Sequence, residues 1–409
     1  MNDDSVYGIQ LTHPPPRVKP WENVPVRGVY VHVPFCVRKC GYCDFYSVVA
    51  GEEAQERFCG LLLRELDIVL RAFPGEAEGP ADTVYFGGGT PSVLGPERLG
   101  GLLGGIKSRL PVATGAEVTL EANPGTIRRE DFPRLREAGF TRVSLGCQSF
   151  RPSTLAALGR IHTAEEARAA FRDAKDSRFP SVGIDLIFGT PGQEEADWEE
   201  DLAEAAALLP DHLSAYALSP EPGTPIHAGI ERGEVALPSD DTVARMYDRT
   251  RETLASAGYR HYEISNFAMP GKECRHNGKY WRREGYLGLG PSAHGLLLPG
   301  ISAPYGLRTA NPPSLPEYAS RLGEGRLPWA DASARSRDDA WKEFLIFGLR
   351  LAEGVSLDEG EKRYGPRPEG LPGAVERLVE SGCLVRDRGR LRMPAAYWFV
   401  SNEVLRRLA

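Results

Sequence analysis

Short apolar segments alternate with longer amphipathic segments through the first two thirds of the chain, and this alternation constrains the fold more than any other feature. The strand candidates span residues 29–33, 83–86, 118–121, 142–145, 182–188 and 212–217. The helix candidates span residues 56–72, 96–109, 129–138, 164–174, 196–209 and 240–257. Strand–helix alternation predicts parallel strands joined by helical crossovers. Six such units predict an α/β fold, a partial (β/α)6 TIM-type barrel, with a doubly wound sheet as the alternative.

The two ends of the chain depart from this alternation. Prolines recur in the first 25 residues and disfavour a helix, so we predict an extended tail over residues 1–25. Two helix candidates at 338–351 and 375–381 precede a hairpin candidate that turns at 387–389. This pattern predicts a small α+β, winged-helix-like C-terminal domain over 311–409, after a core domain over 26–310. Fold does not fix function, and we expect this domain to pack or bind a partner protein rather than nucleic acid.

Charge and composition exclude several classes of protein. The chain has 49 Lys and Arg residues against 56 Asp and Glu residues, a net charge of −7, which argues against extensive nucleic-acid binding. Its 41% hydrophobic content is typical of a globular protein. Residues 1–10 contain two aspartates and no basic residue, so we predict no secretory signal and a cytoplasmic location. The seven cysteines are then expected to be metal ligands or reduced core thiols rather than disulfides.

Three cysteines, Cys36, Cys40 and Cys43, lie within eight residues directly after the first strand candidate. Thiolates this close together favour a soft metal centre. Structural zinc prefers four ligands in two separated pairs, and the sequence offers no second pair. Three thiolates suit a [4Fe-4S] cluster with one iron open to a small-molecule ligand, and Arg38 and Lys39 would offset the negative charge. The alternative is that the three cysteines are incidental buried thiols.

Polar residues follow the strand candidates at their carboxyl ends, where barrels of this type gather their chemistry. The second strand runs into glycines at 87–89, which allow the backbone to approach a ligand closely. Glu121 lies at the end of the third strand candidate, Gln148 follows the fourth, and Asp185 lies within the fifth. Asp185 is costly to bury unpaired and needs a partner, either a ligand hydroxyl or Arg160. Each residue also has a structural explanation, as a cap, a loop amide or an ion pair, but their recurrence favours a shared ligand site.

The cysteine spacing, with Tyr42 directly before the third cysteine, resembles the signature of the radical S-adenosylmethionine superfamily. The resemblance implies a partial (β/α)6 barrel, in agreement with the six units above. It also implies that Cys36, Cys40 and Cys43 hold the cluster and that S-adenosyl-L-methionine chelates the fourth iron. Under this resemblance the residues expected to contact S-adenosyl-L-methionine are Tyr30, Tyr42, Gly88, Gly89, Thr90, Glu121, Gln148, Arg160 and Asp185.

Longer motifs resemble the oxygen-independent coproporphyrinogen oxidase group of that superfamily over about residues 27–295, and more loosely over the C-terminal domain. The dehydrogenase of that group carries a further cysteine two residues after the third cluster cysteine, where this chain has Phe45. The haem-chaperone branch instead has phenylalanine there and a His-Asn-x-x-Tyr-Trp motif, which matches residues 276–281. The resemblance therefore implies a protein that binds haem and delivers it to an acceptor such as a respiratory enzyme, with peripheral membrane contact through that acceptor.

His276 is the expected haem ligand, because neutral imidazole is a good axial ligand for haem iron. Tyr280 and Trp281 offer aromatic surface for a porphyrin face. The alternative is that His276 forms a hydrogen bond to a loop carbonyl and the two aromatic residues belong to the core. Cys274 is a minor candidate ligand. His294 is either a second ligand or an ordinary loop residue, and we favour the loop residue.

Two enzymatic functions stay open at this point. Radical decarboxylation of coproporphyrinogen III fits the group, although Phe45 counts against it. A radical methyltransferase of related architecture would transfer a methyl group to an unreactive carbon. Haem delivery, radical decarboxylation and methyl transfer would all use the same cluster, so the cysteine motif alone does not distinguish these three functions.

Overall fold

The computed structural model describes residues 27–74, 79–297 and 303–408, so the predicted tail over residues 1–25 lies outside the described residues. Within these ranges, twelve strands form one sheet and two more form a separate hairpin. The strands are β1 (Arg27–Val33), β2 (Ala81–Gly88), β3 (Val112–Ala122), β4 (Arg142–Gln148), β5 (Ser181–Phe188), β6 (His212–Ala217), β7 (Arg260–Glu263), β8 (Asn266–Ala268), β9 (Tyr286–Leu289), β10 (His294–Leu297), β11 (Leu307–Ala310), β12 (Asp331–Ala334), β13 (Val385–Asp387) and β14 (Arg390–Arg392).

Strands β1 to β6 lie side by side in sequence order, and every neighbouring pair is parallel. Strand β9 continues the parallel run beyond β1, and antiparallel pairs complete both sides of the sheet. A doubly wound sheet reverses its strand order at a switch point, so this sequential order excludes that alternative. The sheet stays open between its edge strands β12 and β7, which confirms a partial barrel.

Helices connect the strands on the predicted pattern, and all six helix candidates of the core are present. The sequence pattern missed three short helices in this region: α4 (Pro152–Ala157), α7 (Pro225–Glu231) and α9 (Arg275–Trp281). The helices are α1 (Glu52–Ala72), α2 (Gly95–Lys107), α3 (Asp131–Ala138), α4 (Pro152–Ala157), α5 (Ala164–Asp176), α6 (Glu195–Ala207), α7 (Pro225–Glu231), α8 (Asp240–Ser256), α9 (Arg275–Trp281), α10 (Leu315–Gly323), α11 (Arg337–Gly348), α12 (Leu357–Tyr364), α13 (Leu371–Glu380) and α14 (Ser401–Leu405). No helix within the described ranges is both long and apolar enough to cross a membrane.

Helix α5 shows how local sequence fixes these crossovers. Thr163 accepts a hydrogen bond from the Glu166 backbone N–H, and the Glu166 carboxylate accepts one from the Thr163 backbone N–H. This reciprocal pair satisfies two amide donors that a helix start would otherwise leave unpaired. Ala167, Ala170 and Phe171 then recur on one buried face, which packs the helix against the sheet.

A buried carboxylate ties the strands after β9 to the barrel. Glu65 of α1 accepts hydrogen bonds from the Gly290 backbone N–H at 2.7 Å, from Asn311 Nδ2 at 2.6 Å and from the Tyr318 hydroxyl at 2.6 Å. Burial raises the pKa of Glu65 to about 7, although these three donors oppose the shift. The sheet thus continues through β11 and β12 as one body with the barrel.

The C-terminal region contains the predicted helices, as α11 and α13, and the predicted hairpin, as β13 and β14. Helices α10, α12 and α14 were not predicted. The large sheet extends to Ala334 and α11 begins at Arg337, so the last strand of the sheet lies beyond the domain boundary that we predict at residue 310. Isolated bridges join Leu351 to Glu263 and Val355 to Leu391, which connect this region to β7 and to its own hairpin.

Candidate functional site

The cysteine motif lies on a loop that leaves the carboxyl end of β1. Two backbone hydrogen bonds close the base of this loop, from Cys36 N to Val48 O at 3.0 Å and from Val48 N to Pro34 O at 2.7 Å. At the tip, Gly41 O accepts a hydrogen bond of 3.0 Å from Ile226 N in α7. All three motif cysteines are half-buried and line one cavity, so their thiols face a common space.

The end of β2 packs against this loop, and its glycines permit the approach. Gly89 N donates a hydrogen bond of 2.9 Å to Val33 O. A Cβ atom on Gly89 would lie 2.8 Å from Phe35 O, and one on Gly88 would lie 2.6 Å from the His32 ring. Gly88 also has a φ of +104°, a conformation that favours glycine. The glycines predicted to approach a ligand therefore also let β2 reach the cysteine loop.

Glu121 is half-buried at the end of β3 and faces the same cavity. Its Oε1 accepts a hydrogen bond of 2.6 Å from the Tyr85 hydroxyl, and its Oε2 accepts one of 3.3 Å from Gly88 N. Burial is the main cause that raises the pKa of Glu121 to about 7, and the nearby Asp185 charge adds to it. The carboxyl group therefore changes its protonation near neutral pH.

Arg160 links the cysteine loop to three strand ends. Its Nη2 donates to Asn123 Oδ1 at 2.6 Å and to Gly146 O at 2.9 Å, and its Nη1 lies 3.5 Å from Cys40 Sγ. Asn123 Nδ2 in turn donates to Thr90 Oγ1 at 2.8 Å. Sequence reasoning gave Asn123 no role, although its position two residues after Glu121 at a strand end was an available signal.

Asp185 faces the cavity from the middle of β5. Ser144 Oγ of the neighbouring strand donates to both carboxylate oxygens, at 3.0 and 3.1 Å, and Ser214 contributes a further hydrogen bond. The expected partner within the protein was Arg160, and the structure shows these two hydroxyls instead. Burial raises the pKa of Asp185 above its ordinary value, because two neutral donors compensate only part of the lost hydration.

Gln148 ends β4 in a conformation that is unusual for a residue with a side chain. Its φ is +68°, and the pairing register with β5 shifts between Leu145 and Gln148. A non-glycine residue in this left-handed region costs roughly 1 kcal/mol, and such residues are concentrated at ligand sites. The shift turns Gln148 toward the cavity that the cysteines line.

This cavity, called the upper cavity below, has a volume of about 480 Å³ and lies at the carboxyl ends of the parallel strands. That size is within the range of about 300–1,000 Å³ that is typical of small-molecule sites. Tyr30 is the one predicted contact of S-adenosyl-L-methionine that lies outside its lining, and the Tyr30 hydroxyl forms a 3.1 Å hydrogen bond with His32 Nδ1. The predicted residues that do line it are Cys36, Cys40, Cys43, Tyr42, Gly88, Gly89, Thr90, Glu121, Gln148, Arg160 and Asp185.

The donor set of the upper cavity suits an iron–sulfur cluster, because three soft thiolates share one wall with a guanidinium group. Within the described ranges, no group of three or more His, Cys, Asp or Glu side chains is arranged to hold a single metal ion. The remaining cysteines have different surroundings: burial raises the pKa of Cys59 to about 11 and that of Cys274 to about 12. Burial also raises the pKa of the motif thiol of Cys43, so the cluster assignment rests on the three cysteines that share one loop and not on these shifts.

The His-Asn-x-x-Tyr-Trp motif forms α9, and His276 is fully buried at 0% exposure. Its Nδ1 shares a hydrogen bond of 2.8 Å with Thr83 Oγ1, and its Nε2 shares one of 2.9 Å with the Tyr280 hydroxyl. The ring stacks on Tyr85 with centroids 5.1 Å apart. Burial, followed by the Lys279 charge, lowers the pKa of His276 to about 3. The imidazole is therefore neutral as expected, but both nitrogens are occupied and neither faces a ligand site.

The other two haem-ligand candidates also differ in their surroundings. Cys274 is buried, with its Sγ 3.6 Å from Glu117 Oε1, and it lies at the wall of the upper cavity. His294 is exposed at the start of β10, so it belongs to a strand rather than to a loop.

Comparison with known proteins places this geometry in a family. The model of the radical SAM superfamily matches residues 30–205, and the model of the HemN C-terminal domain matches residues 336–400. Among solved structures, coproporphyrinogen III oxidase (HemN) from Escherichia coli has a TM-score of 0.78 with 21% identity, over 95% of this chain and 91% of that chain. At this level of identity the likeness establishes the fold.

Curated relatives are more similar in sequence. The heme chaperone HemW of Mycobacterium tuberculosis is 39% identical over 92% of this chain and 95% of its own length. HemW of Bacillus subtilis is 31% identical over 93% of this chain and 98% of its own. The mouse radical S-adenosyl methionine domain-containing protein 1, which is mitochondrial, is 33% identical over 89% of this chain and 83% of its own. Together with the cysteine loop and the partial barrel, these similarities show that the chain belongs to the HemW family of the radical SAM superfamily.

Proposed function

We propose that this protein is a haem chaperone, which binds haem in the cytoplasm and transfers it to an acceptor protein such as a respiratory enzyme. The observation that carries the proposal is the similarity, at 31–40% identity, to several proteins named heme chaperone HemW. Phe45 adds to it, because the related dehydrogenase carries a cysteine at that position. Phe45 is 61% exposed at the rim of the upper cavity, where it presents apolar surface rather than a further thiol.

Members of the radical SAM superfamily hold a [4Fe-4S] cluster and S-adenosyl-L-methionine, and we assign both to the upper cavity. Cys36, Cys40 and Cys43 would hold the cluster, whose open iron can bind the amino and carboxylate groups of S-adenosyl-L-methionine. Arg160 would balance the charge of the thiolates, since it already lies beside Cys40. Glu121 would attract the positively charged end of the ligand.

The proposal does not rest on His276 as the haem ligand. In this conformation the side chain is enclosed and both ring nitrogens are hydrogen bonded, so His276 does not fit a role at the haem iron. No step of haem delivery is therefore assigned to it.

Titration with haemin tests the proposal directly. The purified protein should show a saturable change in the Soret band at micromolar haemin, and bound haem should pass to a haem-free acceptor on mixing. Absence of saturable binding would contradict the proposal. Formation of protoporphyrinogen and 5′-deoxyadenosine from coproporphyrinogen III under anaerobic conditions would identify a dehydrogenase instead.

Protonation of Glu121 predicts a pH dependence of S-adenosyl-L-methionine binding. Because the pKa of Glu121 is about 7, the group is mostly neutral at pH 6 and mostly charged at pH 8. A sulfonium cation interacts more favourably with the carboxylate, so its Kd should fall by about fivefold from pH 6 to pH 8. Isothermal titration calorimetry of the reconstituted protein measures this change.

The matched variant is Glu121→Gln, which keeps the size of the side chain but does not titrate. Its Kd should equal or exceed the wild-type value at pH 6 and should change little between the two pH values. A variant with the full pH dependence of the wild type would show that another group is responsible.

A further inference from the structure

A second cavity of about 720 Å³ lies at the opposite end of the barrel from the cysteine loop. We call it the basal cavity. Its walls come from the amino ends of β4 and β5, from the neighbouring part of β3, from β7, from α9 with its preceding loop, and from residues 351–353. Neither the cysteine motif nor the strand-end residues described above belong to it, so the proposed cluster site leaves this cavity unexplained.

Basic side chains outnumber acidic ones in the lining of the basal cavity, although the whole chain has a net charge of −7. Three glutamates line it, Glu117, Glu273 and Glu353, against five basic side chains: Arg142, Arg260, Lys272, Arg275 and Arg282. Arg260 is exposed and forms no ion pair with any residue in the described part of the chain. The other four basic side chains are ion-paired: Arg142 with Glu117, Lys272 with Asp211, Arg275 with Asp82 and Arg282 with Glu353. Arg260 is therefore the rim group with a guanidinium available to a carboxylate or phosphate of a ligand.

Arg142 forms the inner end of the cavity and has unused hydrogen-bonding capacity. Its side chain is 4% exposed, and its Nη1 donates to Ser181 Oγ at 3.0 Å and to Lys272 O at 2.9 Å. Its Nη2 has no hydrogen-bond partner within the described residues. A buried donor without a partner is costly, so this atom offers favourable free energy to a ligand that reaches it.

Apolar and aromatic groups form one part of the remaining wall. Tyr262, Leu351 and Ala352 line the cavity beside its charged rim. Helix α9 contributes Arg275, Gly278 and Arg282 at helical spacing, while its other face buries His276 in the barrel. The His-Asn-x-x-Tyr-Trp helix therefore has one face in the core and the other in the basal cavity.

We propose that the basal cavity is the haem site, with the carboxylates of haem on its basic rim and the ring against its apolar wall. The inference rests on the proposed function and adds the place of binding. The cavity combines a volume suited to a large ligand, an apolar part of its wall, and two arginines, Arg142 and Arg260, with hydrogen-bond donors still available. An apolar macrocycle that carries two carboxylate groups matches all three features.

Haemin binding by rim and wall variants of the full chain tests the proposal. Arg260→Glu reverses one rim charge, and Ala352→Trp fills part of the cavity without a change of charge. Each should raise the Kd for haemin by about tenfold. Haemin dimethyl ester, which lacks the free carboxylates, should bind the wild type about tenfold more weakly than haemin and should not distinguish Arg260→Glu from the wild type.

Arg388→Glu provides the matched control, because Arg388 is 94% exposed on the C-terminal hairpin and lines neither cavity. This control should bind haemin as the wild type does. Thermal unfolding and cluster absorbance should be unchanged in Arg260→Glu, which separates loss of binding from loss of fold. Wild-type haemin affinity in both cavity variants would overturn the basal site while the haem-chaperone function stands, whereas no binding by the wild type would reject that function itself.

Discussion

Replacing Cys40 with alanine is expected to abolish assembly of the iron–sulfur cluster. The motif supplies three thiolates for a four-iron cluster with one open iron, so no spare ligand remains in the loop after the change. Iron content after anaerobic reconstitution should fall from about four per chain to less than about one. Cluster absorbance, and the EPR signal after reduction, should be lost together with it.

The control for this experiment is Cys59→Ala. Cys59 lies on α1, and burial raises the pKa of its thiol to about 11, so we expect it to take no part in metal binding. Iron content and EPR signal should match the wild type. Retention of a cubane signal by the Cys40 variant, or zinc in the reconstituted wild type, would contradict the assignment of the three cysteines.

The alternation of short apolar runs and amphipathic segments was sufficient to predict β1 to β6 and their parallel pairing, whereas the choice between a partial barrel and a doubly wound sheet needed the strand order in the structure. These strands are buried on both faces, so each appears as a nearly continuous apolar run that periodicity detects. Strands β7 to β12 have only three or four residues each, which is too short for a period to emerge. Their pairing with the sheet depends on contacts with distant parts of the chain.

The candidate site was also predictable only in part: its location could be predicted from the sequence, but the contacts inside it could not. Cysteine spacing and strand ends located the upper cavity, because its residues come from successive strands of a predicted topology. The partners inside the cavity could not be predicted in the same way: Arg160 meets Asn123 across 37 residues, and the partners of Asp185 are serines on two different strands. A hydrogen-bond network of this kind is decided by side-chain geometry, which a sequence pattern does not contain.

Helix α9 connects the two cavities physically. Asn277 lines the upper cavity and Gly278 lines the basal cavity, although they are adjacent in sequence. The preceding residue of the helix, His276, stacks on Tyr85, and the Tyr85 hydroxyl donates a hydrogen bond to Glu121 in the upper cavity. The buried side chain of His276 therefore holds α9 in place, and with it Asn277 in the upper cavity and Gly278 in the basal cavity.

This position makes His276→Ala the second variant with a large expected effect, and the effect should be on stability. The change would leave the Thr83 and Tyr280 hydroxyls without their buried partner. It would also open a space beside Gly28, where a Cβ atom on that glycine would lie only 3.0 Å from the His276 ring. We expect the free energy of unfolding to fall by about 3 kcal/mol. Chemical denaturation of the protein without bound haem measures this loss.

His294→Ala is the matched control, since His294 is exposed and its removal should change the free energy of unfolding by less than about 0.5 kcal/mol. The spectrum of bound haem separates structural support from ligation. If the role of His276 is to anchor α9 in the core, the variant should be less stable at every haem concentration. The haem that the variant still binds should then keep the wild-type Soret position. An equally stable variant with a shifted Soret band would show instead that His276 leaves its buried site and binds the iron.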